Sequence, residues 1–318
     1  MQKLVMKMWQ KIDIVFKLKS PLHIGYIPFK GSVFSPTRYY VLGRNLCGAI
    51  TKRITELLYN SPNKEKYKDV SIQVIENFIF SYFYVYDGRM IYFPHYTKKG
   101  LKYGDISEKN NKITKSEFEH RFIGSRISTA MDFISLTTKN KSLHEIEFIN
   151  NKFKDEKGNI RDVKIAGSIW VKNDAKIENK EVKTDERGIF INNFDIIQEL
   201  ILGGESKYGF GHVLLDSVNQ VKFPIELKEN DNEVKIEQDK PLFAHLNYDK
   251  SIKFEGDVEL LSGRGYFDPQ DKERASENPG VIISEPEYYF APGSVINGII
   301  YAVLQWDGSL KLRPIKFN

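Results

Sequence analysis

Four glycines lie between residues 202 and 213, and this segment constrains the fold more than any other stretch of the chain. They are Gly203, Gly204, Gly209 and Gly211. Because glycine adopts left-handed conformations without steric cost, the segment predicts sharp turns that present backbone amides to a ligand. The apolar pattern of residues 194–201 predicts a short helix before it, capped at Asn192 or Asn193, and residues 213–218 predict a strand after it. A dinucleotide fingerprint would need the glycines before the helix, and a P-loop would need a Gly-Lys-Ser/Thr sequence.

The N-terminal part of the chain predicts a strand, a loop and a helix. Apolar residues alternate with polar ones over 12–19, the period of a half-buried strand, and residues 20–37 are rich in Gly, Pro and Ser. Residues 44–58 then have apolar positions at helical spacing, with Arg44 off the apolar stripe. Further strands are predicted at 82–86 and 90–93, around the turn Asp87-Gly88, and at 143–149 and 163–171. This order predicts an α+β, ferredoxin-like (RRM-like) fold with helices on one face of an antiparallel sheet.

Two polar regions interrupt this pattern. Residues 97–120 are charged, lack an apolar period and contain two glycines, which indicates a long mobile insertion or a segment that a partner orders. After Phe223 the charge changes sign and residues 228–240 are polar. We therefore predict a boundary near Pro224, with one domain over 1–223, including an insertion around 97–120, and a β-rich extension over 224–318.

The distribution of charge favours a polyanionic partner for the N-terminal part. Residues 1–58 contain ten Lys or Arg and two acids, a net +8, although the whole chain carries only +5. Residues 217–318 contain twelve Lys or Arg and seventeen acids, a net −5. A basic segment binds nucleic acid by displacing the counterions of phosphates, whereas an acidic one is a poor surface for it. A solvated, lysine-rich surface is the alternative explanation of the same charges.

Composition also indicates a compartment. The single cysteine, Cys47, has no partner for a disulfide, and no secretory N-terminal pattern is present. The longest apolar runs are shorter than the roughly 20 residues that span a bilayer. We expect a cytoplasmic protein without a membrane partner.

Three stretches of the sequence carry the more specific signals. The first is Ser20-Pro21-Leu22-His23-Ile24-Gly25, followed by residues 37–49, in which Gly43 and Arg44 open a helix. The second begins at Arg126 and continues through a polar loop to the strand that carries Glu147. The third is the glycine-rich segment 202–213, which also contains Lys207, Tyr208 and Phe210.

Together these stretches resemble the RAMP (repeat-associated mysterious protein) superfamily, and specifically subunits of type III CRISPR-Cas effector complexes. The resemblance covers residues 12–216, about two thirds of the chain, with unmatched gaps. It implies a non-catalytic RNA-binding subunit that holds the guide RNA (crRNA), meets target RNA and contributes to antiviral defence. The implied protein partners are other RAMP-type effector subunits, and no cofactor is implied.

The residue types suit contact with RNA. Amides at the start of the helix, with Arg44 beside them, can receive a phosphate, Arg126 can contact one in a bidentate manner, and Lys207 adds charge. Tyr208 can stack on a base. The predicted RNA-binding residues are Gly25, Lys30, Gly43, Arg44, Arg126, Gly203, Gly204, Lys207, Tyr208, Gly209 and Gly211. Two alternatives stay open: a tight strand-to-helix connection at Gly43, and an ion pair of Arg126 with Asp132 or Glu147.

Catalysis is disfavoured by what the segment 26–38 contains. RNA-cutting relatives carry an Asp in this loop, and this chain has no acid there, so it lacks the hard oxygen ligands that a divalent metal prefers. The alternative is a metal-free, guide-processing endoribonuclease of the same superfamily, with a site assembled from His23, Lys30 and Tyr39. In that family the glycine-rich loop lies near the C-terminus, whereas about a hundred residues follow it here. We expect His23 to be a hydrogen-bonded turn residue, and no metal spacing is present among the histidines.

Overall fold

The computed structural model describes residues 8–25, 32–106, 111–132, 134–135, 137–138, 142–228, 232–262 and 285–313, and strands predominate in them. The helices are α1 (Gly43–Leu58), α2 (Lys64–Asn77) and α3 (Lys115–Phe122). The strands up to residue 172 are β1 (Trp9–Leu18), β2 (Phe34–Ser35), β3 (Tyr40–Val41), β4 (Phe78–Phe80), β5 (Phe83–Tyr86), β6 (Phe93–Thr97), β7 (Gly100–Gly104), β8 (Lys112–Thr114), β9 (Ile123–Ser128), β10 (His144–Ile149), β11 (Lys152–Lys154), β12 (Ile160–Asp162) and β13 (Lys164–Lys172). The strands after it are β14 (Lys176–Ile177), β15 (Lys180–Asp185), β16 (Gly188–Ile191), β17 (Phe194–Asp195), β18 (Glu199–Ile201), β19 (His212–Val218), β20 (Glu233–Ile236), β21 (Leu246–Asn247), β22 (Phe254–Glu255), β23 (Val258–Leu261), β24 (Glu287–Phe290), β25 (Val295–Ile296), β26 (Ile300–Leu304) and β27 (Leu310–Leu312).

A central antiparallel sheet organises the N-terminal two thirds. Its strand order is β18-β19-β1-β13-β5-β3, and β4 also pairs with β13. The predicted alternation holds in β1, where Ile12, Ile14, Phe16 and Leu18 are all buried. These side chains share one core with apolar residues of α1 and α2, such as Ile50 of α1. Burial of this face by the two helices accounts for the period-2 pattern that the sequence shows.

Several predicted elements are confirmed. Helix α1 covers the predicted range, and β10, β13 and β19 lie where strands were predicted. The turn at Asp87-Gly88 links β5 to the segment before β6: the N–H of Tyr92 donates to the carbonyl of Val85. Gly88 has a φ of +93°, which explains why a glycine occupies that position.

The predicted helix over residues 194–201 is wrong. This segment contains β17 and β18, and β18 pairs with β19 at the edge of the central sheet. Asn192 and Asn193 do not cap a helix: both have positive φ, 51° and 65°, and they form the turn between β16 and β17. Two consecutive asparagines tolerate this left-handed turn, and the hairpin it closes prevents a helix from starting there.

In the region 97–120, the described residues, which exclude 107–110, are more ordered than predicted. It contains β7 and β8, which extend a three-stranded sheet from β6, and most of α3. Phe118 of α3 is fully buried, and Thr114 and Glu117 form a capping box at the start of this helix. The buried rings of Phe118 and Phe122, together with this cap, therefore order the described part of a segment whose polarity indicated a mobile loop.

The described residues after Pro224 contain strands β20 to β27 and cover the second face of the central sheet. Six of these strands form a sheet in the order β20-β26-β27-β21-β24-β23. A second core joins it to the central sheet, with Trp170 and Tyr84 on one side and Phe290 on the other. Phe223 and Ile225, beside the predicted boundary, are buried in this core. The sequence Gly263-Arg264-Gly265 indicates a turn, and it lies outside the described residues.

Candidate nucleic-acid interface

The glycine-rich segment lies at one end of the central sheet, against the turn that follows β1. Gly204 N–H donates to the carbonyl of His23 (2.9 Å), and Gly211 N–H donates to the carbonyl of Pro21 (2.8 Å). Gly203 and Gly211 have φ of +75° and +82°, and a Cβ at either position would overlap a carbonyl oxygen, that of His23 or that of Leu202. The glycines thus hold the first and third motifs together by main-chain contacts.

The outer part of the loop is available for a ligand. Residues Ser206–Tyr208 form a short 3-10 helix that Gly209 ends with a φ of +82°. Lys207 is exposed, and its ammonium has no carboxylate partner within the described part of the chain. Tyr208 is 66% exposed. A free cation beside an exposed aromatic ring is the arrangement that a phosphate and an adjacent base require.

The second motif lies beside this loop. In the small sheet β2-β10-β9, Ser35, Ile146 and Arg126 are in register and share one face. Phe148 lies on the same face two residues along β10, and its ring meets that of Phe210 in the loop at a centroid distance of 5.3 Å. Arg126 is therefore exposed on the face of the small sheet that the glycine-rich loop contacts.

Neither of the ion pairs considered for Arg126 is formed. The carboxylate of Asp132 accepts the N–H groups of Ile134 and Ser135, and that of Glu147 accepts the N–H of Thr37 (2.9 Å). Within the described ranges, no carboxylate lies at ion-pair distance from the Arg126 guanidinium. None of the described carboxylates therefore neutralises its charge, which is the state expected of a phosphate contact.

His23 connects all three motifs and is 4% exposed. Its Nδ1 donates to the carbonyl of Glu147 (2.7 Å), which fixes the tautomer, and its Nε2 lies 3.5 Å from the hydroxyl of Ser35. A Cβ at Gly25 would lie 3.0 Å from Nε2, so Gly25 provides the space that the ring needs. The arrangement matches a hydrogen-bonded turn histidine.

Tyr39 is likewise held by the protein. Its hydroxyl donates to the carboxylate of Glu119 (2.6 Å) and lies 3.5 Å from that of Glu147. Burial, followed by the bond to Glu119, raises the pKa of Tyr39 far above its usual value. The phenol consequently keeps its proton at neutral pH. Lys30, the third residue of the alternative site, lies outside the described residues.

The helix start is separate from this cluster. A Cβ at Gly43 would overlap the carbonyl of Asp307 and approach that of Phe80, so the C-terminal extension supplies the close contact that requires glycine. Phe80 and Ile12 of β1 both pair with Ile169, so they lie at the same level of the central sheet. Leu18, at the end of β1 next to the glycine-rich loop, is six residues further along, which corresponds to about 20 Å. Arg44, which follows Gly43, is half-buried, and burial lowers its pKa. The strand-to-helix explanation thus accounts for Gly43, and an RNA contact by Arg44 stays a prediction.

Sequence reasoning did not identify the exposed apolar residues beside Arg126. Phe34 and Ile127 flank Glu145 in one row of the small sheet, and both are exposed. Leu143, just before β10, is exposed too. Their spacing along the chain gives no signal, because only the pairing of β2, β10 and β9 brings them together.

The described ranges show neither a metal site nor a membrane-spanning helix. They contain no group of three or more His, Cys, Asp or Glu side chains that could hold a metal ion. None of the helices there is both long and apolar enough to cross a membrane.

Comparison with known proteins gives matches among solved structures. Neither a family model nor a curated protein sequence matches the chain. One similar structure is a cryo-EM structure of the type III-B Cmr-beta bound to cognate target RNA, with 12% identity, a TM-score of 0.48, and coverage of 90% of this chain and 86% of that chain. Another is the Csm3-Csm4 subcomplex of the type III-A CRISPR-Cas interference complex (15% identity, TM-score 0.40, coverage 91% and 93%). A third is a CRISPR protein from Archaeoglobus fulgidus (11% identity, TM-score 0.36, coverage 92% and 94%). Two of these three similar structures are thus of type III CRISPR-Cas complexes.

Proposed function

We propose that this protein is a non-catalytic RNA-binding subunit of a type III CRISPR-Cas effector complex, and that it holds guide RNA through the loop end of its central sheet. One observation carries the proposal: three motifs that are far apart in the sequence meet there through Gly204, His23 and Phe148. Their meeting leaves Lys207, Tyr208 and Arg126 exposed. Two unpaired cations and an aromatic ring on one rigid frame suit a phosphate backbone with an adjacent base.

The strand order supports a modified ferredoxin-like domain. The last, first, third and second strands of such a fold correspond to β19, β1, β13 and β5, with α1 between the first and second. In place of the second helix, residues 173–201 contain hairpins, and we propose that these are an insertion into the ordinary pattern. We also propose that residues 1–223 form this domain and residues 224–318 its extension.

The endoribonuclease alternative has less support from the geometry. A general base must reach the ribose hydroxyl, and His23 is buried with Nδ1 bound to a carbonyl. A Tyr base would need a lowered pKa, whereas the pKa of Tyr39 is raised. His23 instead bonds to the carbonyl of Glu147 in β10, and Tyr39 bonds to the carboxylate of Glu119 in α3.

The proposal is tested by RNA binding of the full-length protein. We expect the double substitution Arg126→Ala and Lys207→Ala to weaken single-stranded RNA binding by at least tenfold, because each charge-assisted contact contributes about 1.5–3 kcal/mol. The salt dependence should also become shallower, by about 0.7 in log–log slope for each lost phosphate contact. Filter binding across a salt series measures both quantities.

The matched control is Lys172→Ala with Lys176→Ala, two exposed lysines at and just beyond the end of β13, the end opposite the glycine-rich loop. Equal affinities of the two double variants, both folded, would refute the proposed site. A labelled RNA incubated with wild-type protein, in magnesium and in chelator, tests the alternative. Cleavage at one defined position that His23→Gln abolishes would favour the endoribonuclease.

A further inference from the structure

A second positively charged surface lies on the sheet of β6, β7 and β8. The face of this sheet that carries Leu101, Tyr103 and Ile113 packs against the first core. His95, Lys102 and Thr114 are in register on the opposite face, and Lys112 lies beside them on the same face. Lys240 approaches from the turn before residue 241. We call His95, Lys102, Lys112 and Lys240 the cationic face.

Within the described residues no ion pair neutralises this face, although the carboxylates of Asp105 and Glu117 interact electrostatically with Lys112 and Lys102. Lys112 Nζ donates to His95 Nδ1 at 2.5 Å, so this histidine is neutral, and no carboxylate of the described residues is within ion-pair distance of Lys102, Lys112 or Lys240. Burial, Lys112 and Lys240 lower the pKa of His95 to about 4. Burial and the neighbouring lysines also lower the pKa of Lys112, against the opposite effect of Asp105. Like charges held together in this way cost free energy that an anionic ligand would offset.

We propose that the cationic face binds the phosphodiester backbone of an RNA strand, as a contact separate from the glycine-rich loop. This inference rests on the proposed function. The positive charge extends along the exposed β6–β7 turn through Lys98 and Lys99. A strand of RNA that lies along β6 and β7 meets these groups in succession.

The composition of the face favours RNA over a protein partner. Protein interfaces use exposed aromatic or aliphatic anchors at their centre. The described residues from 93 to 126 include no large hydrophobic side chain that is exposed, in contrast with the row of Phe34 and Ile127 in the small sheet. Phosphate contacts need charge and hydrogen-bond donors alone, and these are what the face offers.

The test compares two triple variants of the full-length protein. Lys102→Ala, Lys112→Ala and Lys240→Ala together remove the charge of the face, and Lys172→Ala, Lys176→Ala and Lys222→Ala remove as much charge from exposed lysines elsewhere. With single-stranded oligouridylate of about 30 nucleotides, we expect at least a tenfold loss of affinity for the first variant only. Its log–log salt slope should fall by about 2, from roughly 0.7 for each phosphate contact. Lys112→Arg keeps the positive charge at this position, so its RNA affinity should equal that of the wild type. If the triple variant melts early, this variant shows whether the loss of affinity comes from lost charge or from disturbed packing.

The outcomes separate this inference from the proposed function. If the wild type and the Arg126/Lys207 variant behave as proposed above while both triple variants bind RNA equally, the cationic face is not an RNA contact. Reduced assembly with a protein partner at unchanged RNA affinity overturns the inference as well. If the wild type itself does not bind RNA, alone or in its complex, the proposed function fails and this inference with it.

Discussion

At the residue scale, two glycines of the glycine-rich loop are needed for different reasons, which the sequence alone does not distinguish. Gly209 and Gly211 have the same φ, +82°, yet nothing lies within 4 Å of a Cβ at Gly209, whereas a Cβ at Gly211 would overlap the carbonyl of Leu202. Both conformations are left-handed and cost a residue with a side chain about 1–2 kcal/mol. Only the second position adds a steric clash inside the junction with the turn at Pro21.

This pair gives a matched prediction. We expect Gly209→Ala to lower the free energy of unfolding by about 1–2 kcal/mol through backbone strain. We expect Gly211→Ala to cost at least about 2 kcal/mol more, because Leu202 must move as well. Urea denaturation followed by circular dichroism measures both. Equal losses would mean that the loop relaxes freely, and its close contact with residues 21–23 would then not be structural.

His23 shows how far residue-level reading of the sequence extends. The turn Ser20–Gly25 indicated a hydrogen-bonded histidine, and the structure supplies the partner, the carbonyl of Glu147. The partner was not predictable, because a main-chain carbonyl 124 residues away leaves no pattern in the sequence. The sequence identified Arg126 and Lys207 as cations that could bind RNA. It did not show that their segments lie side by side, because that depends on the contact between the rings of Phe148 and Phe210.

The same contact yields a second prediction at this scale. We expect His23→Ala to lower the free energy of unfolding by about 1–3 kcal/mol, because the buried carbonyl of Glu147 loses its donor. His144→Ala is the control: its ring is half-buried, and its Nδ1 bonds only two residues away, to the carbonyl of Ser142. Thermal melts decide between them. If the His23 variant were as stable as the control, His23 would be free for another role.

At the element scale, strongly periodic segments were predictable and polar ones were not. Strand β1 and helix α1 each bury one face against a common core, so their periods of 2 and 3.6 appear in the sequence. The segment 194–201 had apolar residues at a spacing that fits a helix, but the turn at Asn192 and Asn193 and the pairing of β18 with β19 favoured strands. Tertiary pairing overrode local pattern there.

The prediction at the element scale concerns the packing of helix α3. Its two anchors, Phe118 and Phe122, are four residues apart on one face, and two apolar residues in a charged segment are too few to show a period. The ring of Phe118 stacks on Tyr103 at 4.2 Å and also contacts Tyr39 and Tyr92. We expect Phe118→Ala to cost about 3–5 kcal/mol. Ser116→Ala, at an exposed position of the same helix, should change little.

Denaturant unfolding of the two variants, with limited trypsin digestion of residues 97–122, makes the comparison. If Phe118→Ala had the stability of Ser116→Ala, the region would be the loosely attached insertion that its polarity indicates. Early cleavage of this region in the wild type would lead to the same conclusion. The order of the segment matters for the proposed RNA contact, because Lys102 and Lys112 of the cationic face lie on β7 and β8.

At the scale of the whole molecule, one sheet separates two cores, and a buried polar network crosses the second of them. His245 of the C-terminal extension is fully buried, with Nδ1 accepting from the hydroxyl of Tyr82 (2.8 Å) and Nε2 donating to the carboxylate of Glu259 (3.1 Å). Arg38 donates to the same carboxylate at 2.5 Å. The network therefore joins the extension to the central sheet in a hydrogen-bonded arrangement that requires a neutral histidine and an ionised glutamate.

Acid should loosen this junction. Burial lowers the pKa of His245 to about 4, despite the opposite effect of Glu259, whereas the ordinary value is 6.5. Between these two values the unfolded chain binds a proton that the folded protein does not, so the stabilising contribution is complete above pH 6.5 and decreases as pH falls toward 4. Burial acts to raise the pKa of Glu259, but the bonds from His245 and Arg38 lower it to about 2, so its contribution is lost at still lower pH.

We therefore expect the free energy of unfolding to fall by about 3 kcal/mol between pH 7 and pH 4 on account of His245, since each pKa unit corresponds to about 1.4 kcal/mol. In His245→Gln this part of the pH dependence should disappear, although the variant is less stable at pH 7. His120→Gln, at an exposed position on α3, should retain the wild-type slope. Urea titrations at half-unit steps from pH 4 to pH 7.5 measure the three slopes. Parallel curves for wild type and His245→Gln would show that the histidine titrates alike in the folded and unfolded protein. A wild-type stability that instead rises as pH falls from 7.5 would show that the histidine is protonated in the folded protein and paired with Glu259.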